Sequence, residues 1–141
     1  MTVCASRRHT ILVVDDEPEM RTLFEQILSA DGAEILGAHS GAAALAIAQR
    51  TRLDLVILDV KLPDVSGTEV LRRLRKRDDS LPVIMVTSYG SADTVRTSMR
   101  LGAFDYVTKP FDIREIKRIV REALTSAARE MAPRVAARGG A

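Results

Sequence analysis

Acidic, hydroxyl and amino side chains follow four apolar runs of this sequence, at the point where each run ends. Asp15 and Asp16 follow "ILVV", Asp59 follows "LVIL", Thr87 ends "PVIMVT" and Lys109 follows "FDYVT". Three carboxylates that lie close together raise one another's pKa values unless a cation lies among them. All three offer oxygen ligands, and no cysteine or histidine is near them in the sequence, so a hard ion such as Mg²⁺ is the preferred cation.

A metal ion alone does not explain the lysine and the threonine. An ammonium and a hydroxyl beside Mg²⁺ suit a phosphoryl group, because catalysis of its transfer consists mostly of positioning and charge neutralisation. A carboxylate can itself accept the group and form an acyl phosphate. Asp59, which lies in the middle of the set, is therefore the candidate phosphoryl acceptor.

Apolar runs alternate with segments of helical period, as expected for strands and helices around a parallel sheet. The runs are "ILVV", "EILGAH", "LVILDV", "PVIMVTS" and "FDYVTK". The first helical segment has one apolar stripe, and Pro18 suits its first turn as Gly32 suits its end. Five strands and five helices in strict alternation predict a doubly wound α/β fold. Right-handed crossovers would bring the carboxyl ends of the strands to one edge, where ligands bind.

The third and fifth predicted helices show which faces are expected to be buried. Val70, Leu71 and Leu74 form the apolar stripe of the third, whereas its basic run "RRLRKR" is interpreted as a solvated face and only secondarily as a docking surface. Asp112 is the expected cap of the last helix. The residues expected to be buried in that helix are Ile113, Ile116, Val120, Ala123, Leu124 and Ala127.

Length and composition indicate one ordinary globular domain. The chain has 141 residues, 46% of them hydrophobic and 28% charged, and one cysteine, which excludes an intramolecular disulfide. The net charge of +2 is too small to indicate nucleic acid or a membrane surface as a partner. No signal peptide and no membrane span is indicated, so the expected compartment is the cytoplasm. We expect a flexible N-terminus at 1–9, one domain at 10–130 and a flexible tail at 131–141.

The stretches "VVDDEP", "VILDVKLPDVSG", "VTS" and "GAFDYVTKPFD" resemble, in order and spacing, the receiver domain of two-component response regulators. The resemblance extends from about Thr10 to Ala127. It implies a five-stranded parallel sheet with the strand order 2-1-3-4-5 and helices on both faces. It also implies that Asp59 is phosphorylated, that Asp16, Asp59 and the backbone carbonyl of Lys61 hold Mg²⁺ directly, and that Asp15 acts through a bound water.

The same resemblance assigns the remaining polar residues. Thr87 would donate its hydroxyl to a phosphoryl oxygen, and Lys109 would pair with another. Tyr106 matches the switch aromatic of the family, which turns inward when Thr87 moves. The bond from Lys109 to Pro110 would be cis, and Gly67 would turn its loop with a positive φ.

The implied function is Mg²⁺-dependent acceptance of a phosphoryl group from a sensor histidine kinase or a phosphotransfer protein. The chain would be a signalling protein and not an enzyme, catalysing only its own phosphorylation and dephosphorylation. Its output would be a contact with a downstream protein through helix four, strand five and helix five, a face that could also support a homodimer. Nucleic acid and membrane are not expected partners of this chain. The alternative is the receiver piece of a longer transcription regulator with ATPase and DNA-binding domains, since "GAFDYVTKPFDI" is similar to receivers of the nitrogen-regulation type.

Other interpretations remain open for the single residues and for the whole set. Adjacent acids after a strand commonly cap helices, and Thr87, Lys109 or Tyr106 alone would be ordinary surface or strand residues. A flavin carrier would want Ser, Thr and Gly after strand one and not "DDEPEM". A hydrolase of phosphate esters would use the same acids, lysine and Mg²⁺ but would turn over many times. An adaptor that is not phosphorylated is disfavoured because every expected residue is present.

Overall fold

Five strands alternate with five helices along the described part of the chain. The computed structural model describes residues 8–88 and 91–130, without the side chains of 127–130. The strands are Thr10–Val14 (β1), Glu34–Ala38 (β2), Leu55–Leu58 (β3), Val83–Thr87 (β4) and Asp105–Thr108 (β5). The helices are Pro18–Ser29 (α1), Gly41–Arg50 (α2), Gly67–Arg77 (α3), Ala92–Arg100 (α4) and Ile113–Glu130 (α5).

The strands form one parallel sheet in the order β2-β1-β3-β4-β5, which confirms the expected fold class and strand order. Starting from β1, the chain first builds outward to β2 and then returns to add β3 on the other side. Helices that follow the two directions of winding cover opposite faces of the sheet. The carboxyl ends of β1 and β3 therefore lie side by side at the point where the order reverses.

Both faces of the sheet are buried. Successive residues of β1 alternate between two hydrophobic clusters, with Ile11 and Val13 in one and Leu12 and Val14 in the other. The first cluster includes side chains of α1 and α5, and the second includes side chains of α2 and α3. Burial on both sides explains why the central strands are apolar without alternation.

The helices begin where the sequence supplies a cap. The hydroxyl oxygens of Ser40, Ser66 and Ser91 accept the N–H of the residue three positions later at the start of α2, α3 and α4. Pro18 lies at the first turn of α1. The carboxylate of Asp112 accepts the N–H of Arg114 at the start of α5, as expected.

Two sequence expectations are corrected in detail, and one buried residue is added. The third strand ends at Leu58, so Asp59 and Val60 lie in the loop that follows. Ile113 is 45% exposed and not buried, because it is the first residue of α5 and no preceding helical turn covers it. Ile119, which was not predicted, is buried instead. Ala127 belongs to the residues whose side chains are not described.

Gly67 also differs from expectation. Positive φ angles among the described residues occur at Gly32 and Gly102, so Gly67 is not required by its backbone conformation. An added Cβ at Gly67 would overlap the carbonyl oxygen of Asp59 and lie 2.8 Å from the Cα of Val60. Glycine is needed because the first turn of α3 packs directly on the backbone of the candidate acceptor.

Two of the predicted segments lie wholly or mostly outside the description. These are the tail at 131–141 and, apart from residues 8 and 9, the N-terminal segment. The backbone carbonyl of His9 accepts the N–H of Glu34 at 2.8 Å. Within residues 8–88 and 91–130, no helix combines the length and the apolar character needed to cross a membrane.

Candidate functional site

The backbone pairing of the sheet continues past the ends of the strands and holds the acids in place. Asp15 follows the last residue of β1, and its N–H donates to the carbonyl of Ala38 at 3.0 Å. Asp59 follows the last residue of β3, and its N–H donates to the carbonyl of Val14 at 3.0 Å. The two acids are therefore brought together by the register of neighbouring strands.

Asp16 completes a group of three carboxylates. One oxygen from each of Asp15, Asp16 and Asp59 lies within 4.8 Å of the others. Asp15 and Asp59 are 3% and 6% exposed, whereas Asp16 is exposed to solvent. The group is therefore a shallow site with two buried carboxylates and one open side.

Lys109 connects the two buried acids. Its Nζ lies 2.8 Å from Oδ2 of Asp15 and 3.2 Å from Oδ2 of Asp59, with Oε1 of Glu17 at 3.7 Å. The peptide bond to Pro110 is cis, as the resemblance implies. The group of Asp15, Asp16 and Asp59 has three negative charges and Lys109 has one positive charge, so two negative charges remain in excess in this set.

Burial and charge shift the titration of this pair. Burial raises the pKa of Asp15 above its usual value, although the hydrogen bond from Lys109 opposes that shift. Burial by itself lowers the pKa of Lys109, but the hydrogen bond and charge of Asp15, and then Asp59, outweigh it and leave the pKa raised. Lys109 is therefore a charged ammonium at neutral pH.

Both oxygens of Asp59 have hydrogen-bond donors. Oδ1 accepts the N–H of Lys61 at 3.1 Å and Oδ2 accepts from the ammonium of Lys109. Lys61 lies in the loop between β3 and α3. Its side chain is exposed, and its backbone N–H is the group that contacts the carboxylate. The Asp59 carboxylate is therefore held by one donor on each oxygen.

Thr87 lies on β4, the strand beside β3, and Tyr106 lies on β5, the edge strand beyond β4. Thr87 is the last residue of β4, is 1% exposed, and accepts the N–H of Lys109 with its carbonyl at 2.9 Å. Tyr106 is half-buried in β5. Its pKa is raised by burial and then by the charge of Asp59.

The site includes residues that the sequence patterns did not single out. Arg21 donates to the backbone carbonyl of Asp15 at 2.7 Å, and Asp64 accepts backbone N–H groups at the start of α2. Glu17 is near Lys109. No sequence pattern marks Arg21 for this contact, since it depends on the reach of one side chain to a backbone oxygen.

The donor set suits a hard divalent cation. All ligand atoms are carboxylate oxygens, the excess charge is twice negative, and one side is open to water. Three acids grouped in this way could hold a metal ion, with the backbone of Lys61 next to them.

Comparison with known proteins gives the family. The sequence profile of the response regulator receiver domain matches residues 11–121. The chain is 40% identical over 114 residues to sporulation initiation phosphotransferase F of Bacillus subtilis (strain 168). The aligned residues cover 81% of this chain and 92% of that protein.

Solved structures agree with the sequence comparison. A response regulator receiver domain protein (CheY-like) from Methanospirillum hungatei JF-1 matches with a TM-score of 0.86 and 32% identity, over 88% of this chain and 99% of that chain. NtrX from Brucella abortus, in complex with ADP, matches with a TM-score of 0.83 and 32% identity, over 89% of this chain but 29% of that chain. Sequence, fold and acidic site together show that the chain belongs to the receiver domain family of two-component response regulators.

Proposed function

We propose that Asp59 accepts a phosphoryl group from the phosphohistidine of a sensor histidine kinase or phosphotransfer protein. The observation that carries the proposal is the setting of Asp59. This carboxylate is nearly buried, receives hydrogen bonds on both oxygens, and lies beside two further acids and one ammonium. A carboxylate that was only structural would not need two additional acids next to it.

The covalent step is a displacement at phosphorus. One oxygen of the Asp59 carboxylate forms a bond to phosphorus while the bond from phosphorus to the donor imidazole nitrogen breaks. The electron pair of that bond remains on the nitrogen, and the product is an acyl phosphate. Water later attacks the same phosphorus atom and returns the carboxylate together with inorganic phosphate.

Charge neutralisation and a further hydrogen bond would come from Lys109 and Thr87. Lys109, 3.2 Å from Oδ2 of Asp59, would move its hydrogen bond to a phosphoryl oxygen. Thr87 would donate its hydroxyl to another oxygen, since it ends the neighbouring strand. Both residues then contact the phosphorylated form better than the free form, which is the condition for a switch.

Mg²⁺ is the proposed cofactor. Asp16, Asp59 and the backbone carbonyl of Lys61 would hold it directly, and Asp15 would act through water. When bound, the ion would offset the charge that develops on the phosphoryl oxygens.

The proposed output is a change of protein contacts. Movement of Thr87 toward the phosphoryl group would let Tyr106 turn inward and change the face formed by α4, β5 and α5. That face would bind a downstream protein and could support a homodimer, with Arg96, Arg100, Arg114 and Arg118 making it basic. Outside this self-phosphorylation and its reversal, no catalytic activity is proposed, and the proposed donors imply a cytoplasmic location.

Residues 10–130 are the proposed functional unit. The relatives support two settings for it, because the chain covers 92% of sporulation initiation phosphotransferase F but 29% of NtrX. The first setting is a receiver with a protein contact as its output. The second is the receiver of a longer transcription regulator with ATPase and DNA-binding domains.

Intact mass after incubation with acetyl phosphate tests the acceptor. We expect one added phosphoryl group per chain that requires Mg²⁺ and is absent in Asp59→Asn, because the amide cannot form an acyl phosphate. Asp93→Asn is the matched control, since Asp93 is an exposed acid on α4.

Two results would contradict the proposal. A native chain that gains no phosphoryl group even at short reaction times would favour an adaptor that is not phosphorylated. Repeated turnover of a chromogenic phosphate ester that survives in Asp59→Asn would favour a hydrolase.

A further inference from the structure

Asp15 and Asp16 are adjacent in the sequence but are held very differently. The N–H of Asp15 donates to Ala38, its Oδ1 accepts the N–H of Glu17 and its Oδ2 accepts from Lys109. For the carboxylate of Asp16, no hydrogen bond or ion pair is present among the described residues. The position of the Asp16 carboxylate therefore depends on the backbone that carries it and on its own rotamer, and not on a hydrogen bond or ion pair to the described residues.

Arg21 holds the peptide unit that joins these two acids. The carbonyl of Asp15 belongs to the peptide bond between Asp15 and Asp16, and it accepts a 2.7 Å hydrogen bond from Nη1 of Arg21. Arg21 lies in the second turn of α1, so the helix that follows the loop returns a donor to the loop's first carbonyl. A charged donor at this distance makes a strong hydrogen bond.

Gly37 provides the space for this contact. It lies on β2, an edge strand of the sheet, opposite Val13 of β1. A Cβ at Gly37 would lie 3.3 Å from Cδ and 3.6 Å from Nε of Arg21. Glycine inside a strand weakens that strand and often marks a close approach by another group, which here is the stem of Arg21.

We propose that Arg21 is a positioning residue for the metal site, acting through the peptide unit between Asp15 and Asp16, and that Gly37 allows it to do so. The inference rests on the proposed function in one respect, since it assigns Asp16 to Mg²⁺. Arg21 contacts a backbone oxygen and is assigned no contact with metal or phosphoryl group.

The direction in which substitution of Arg21 changes the Kd for Mg²⁺ distinguishes a positioning role from an effect of its charge. A guanidinium near a cation site repels the cation, so removal of that charge alone would tighten Mg²⁺ binding. Loss of a hydrogen bond that orients a ligand would weaken it, as found for other partners that orient metal ligands. The two explanations thus predict opposite changes of the Kd.

The experiment is a titration of ¹⁵N-labelled full-length chain with MgCl₂, without any phosphoryl donor, followed at the amides of Asp16 and Lys61. We expect Arg21→Met, which keeps an apolar stem but removes the donor, to raise the Kd for Mg²⁺ about tenfold. Arg21→Lys, which retains a donor and the charge, should recover most of the affinity. Gly37→Ala, which keeps the arginine but crowds it, should fall between native and Arg21→Met.

Arg96→Met is the matched control, because Arg96 is exposed on α4 and pairs with Asp93. Thermal unfolding of every variant shows whether the fold is retained. An unchanged or lower Kd in Arg21→Met would overturn the proposal, as would a rise in the Kd of Arg96→Met equal to that of Arg21→Met.

A second readout does not need the metal. In the metal-free chain, the ¹³C shift of the Asp15 carbonyl and the ¹⁵N shift of Asp16 should move in Arg21→Met and return in Arg21→Lys. Native shifts in Arg21→Met would overturn the positioning role. A native chain that failed to bind Mg²⁺ would instead refute the proposed cofactor. The chemical shifts would still show whether Arg21 holds the peptide unit between Asp15 and Asp16.

Discussion

At the scale of single residues, one buried polar group on α4 has no hydrogen-bond partner in the described part of the chain. This group is the hydroxyl of Ser98. Its Oγ is buried without a hydrogen-bond partner among the described residues, and Ser98 is 0% exposed. Leaving a buried hydroxyl without a partner costs free energy, and removing it avoids that cost. Ser98 is also the buried residue of a helix that otherwise presents half-buried and exposed positions.

We therefore predict that Ser98→Ala stabilises the protein. The expected gain in the free energy of unfolding is about 1–2 kcal/mol, from the lost desolvation cost and the better helix propensity of alanine. Urea unfolding measures it. Thr97→Ala is the control, since Thr97 is exposed on the same helix and reports propensity alone. A gain no larger than that of the control would mean that the hydroxyl finds a partner in solution.

At the scale of elements, the start of α2 depends on a loop from another part of the chain. The carboxylate of Asp64 accepts the N–H groups of Gly41 and Ala42, each at 2.9 Å. Ser40 accepts the next two, at Ala43 through its hydroxyl and at Ala44 through its carbonyl. Gly41, Ala42 and Ala43, whose N–H groups have no partner within the helix, are thus satisfied by side chains, and α2 is tied to the loop that follows Asp59.

We predict that Asp64→Ala lowers the melting temperature at neutral pH, because two N–H groups of α2 lose their acceptor. Asp64→Asn should lower it less, since its side-chain carbonyl can still accept. Thermal melts followed by circular dichroism measure both. Asp79→Ala is the control, because Asp79 is an exposed acid in the turn that follows α3. An equal loss of melting temperature in that variant would contradict the capping role of Asp64.

The same contact predicts a pH dependence. Hydrogen bonds from Ala42 and then Gly41 hold the pKa of Asp64 below its usual 3.8. A lowered folded-state pKa contributes stability above the unfolded-state pKa, and that contribution is lost as pH falls through the folded-state pKa. The difference in melting temperature between native and Asp64→Ala should therefore be constant near neutral pH and shrink below 3.8. If the difference in melting temperature grew as the pH fell, the lowered pKa of Asp64 would not be the cause.

At the scale of the whole molecule, burial differs between the sheet and the helices and from one helix to another. β1, β3 and β4 each have a strand on both sides and nearly complete burial, so they form the interior of the fold. α3 buries Val70, Leu71 and Leu74, whereas the one buried side chain of α4 is Ser98. Elements with few buried apolar side chains open locally at low free energy.

We predict from this contrast that α4 exchanges its amide hydrogens faster than α3. Native-state hydrogen exchange should show amides of α4 exchanging at least about tenfold faster than those of α3, with the central strands slowest. α3 is the internal control, since it is also a short helix on the sheet. Equal protection of the two helices would contradict local opening of α4, and with it the ease with which the proposed switch face could change.

Local sequence patterns were sufficient for the element order and for the edge of the sheet at which the candidate site residues meet. The apolar runs predict five strands, and chirality requires parallel strands with right-handed connections to end at one edge. Asp15, Asp16, Asp59, Thr87 and Lys109 could therefore be grouped before any coordinates were known. Their types then indicated a cation and a phosphoryl group.

Only the tertiary structure decided how these residues are held. The bridge from Lys109 to both buried acids, the hydrogen bond from Arg21 to the carbonyl of Asp15, and the cap that Asp64 provides to α2 are side-chain contacts across loops. Gly67 is glycine because a backbone lies against it, not because of its own φ angle. Such contacts depend on the reach and direction of side chains from separate elements, and no periodicity of the sequence encodes them.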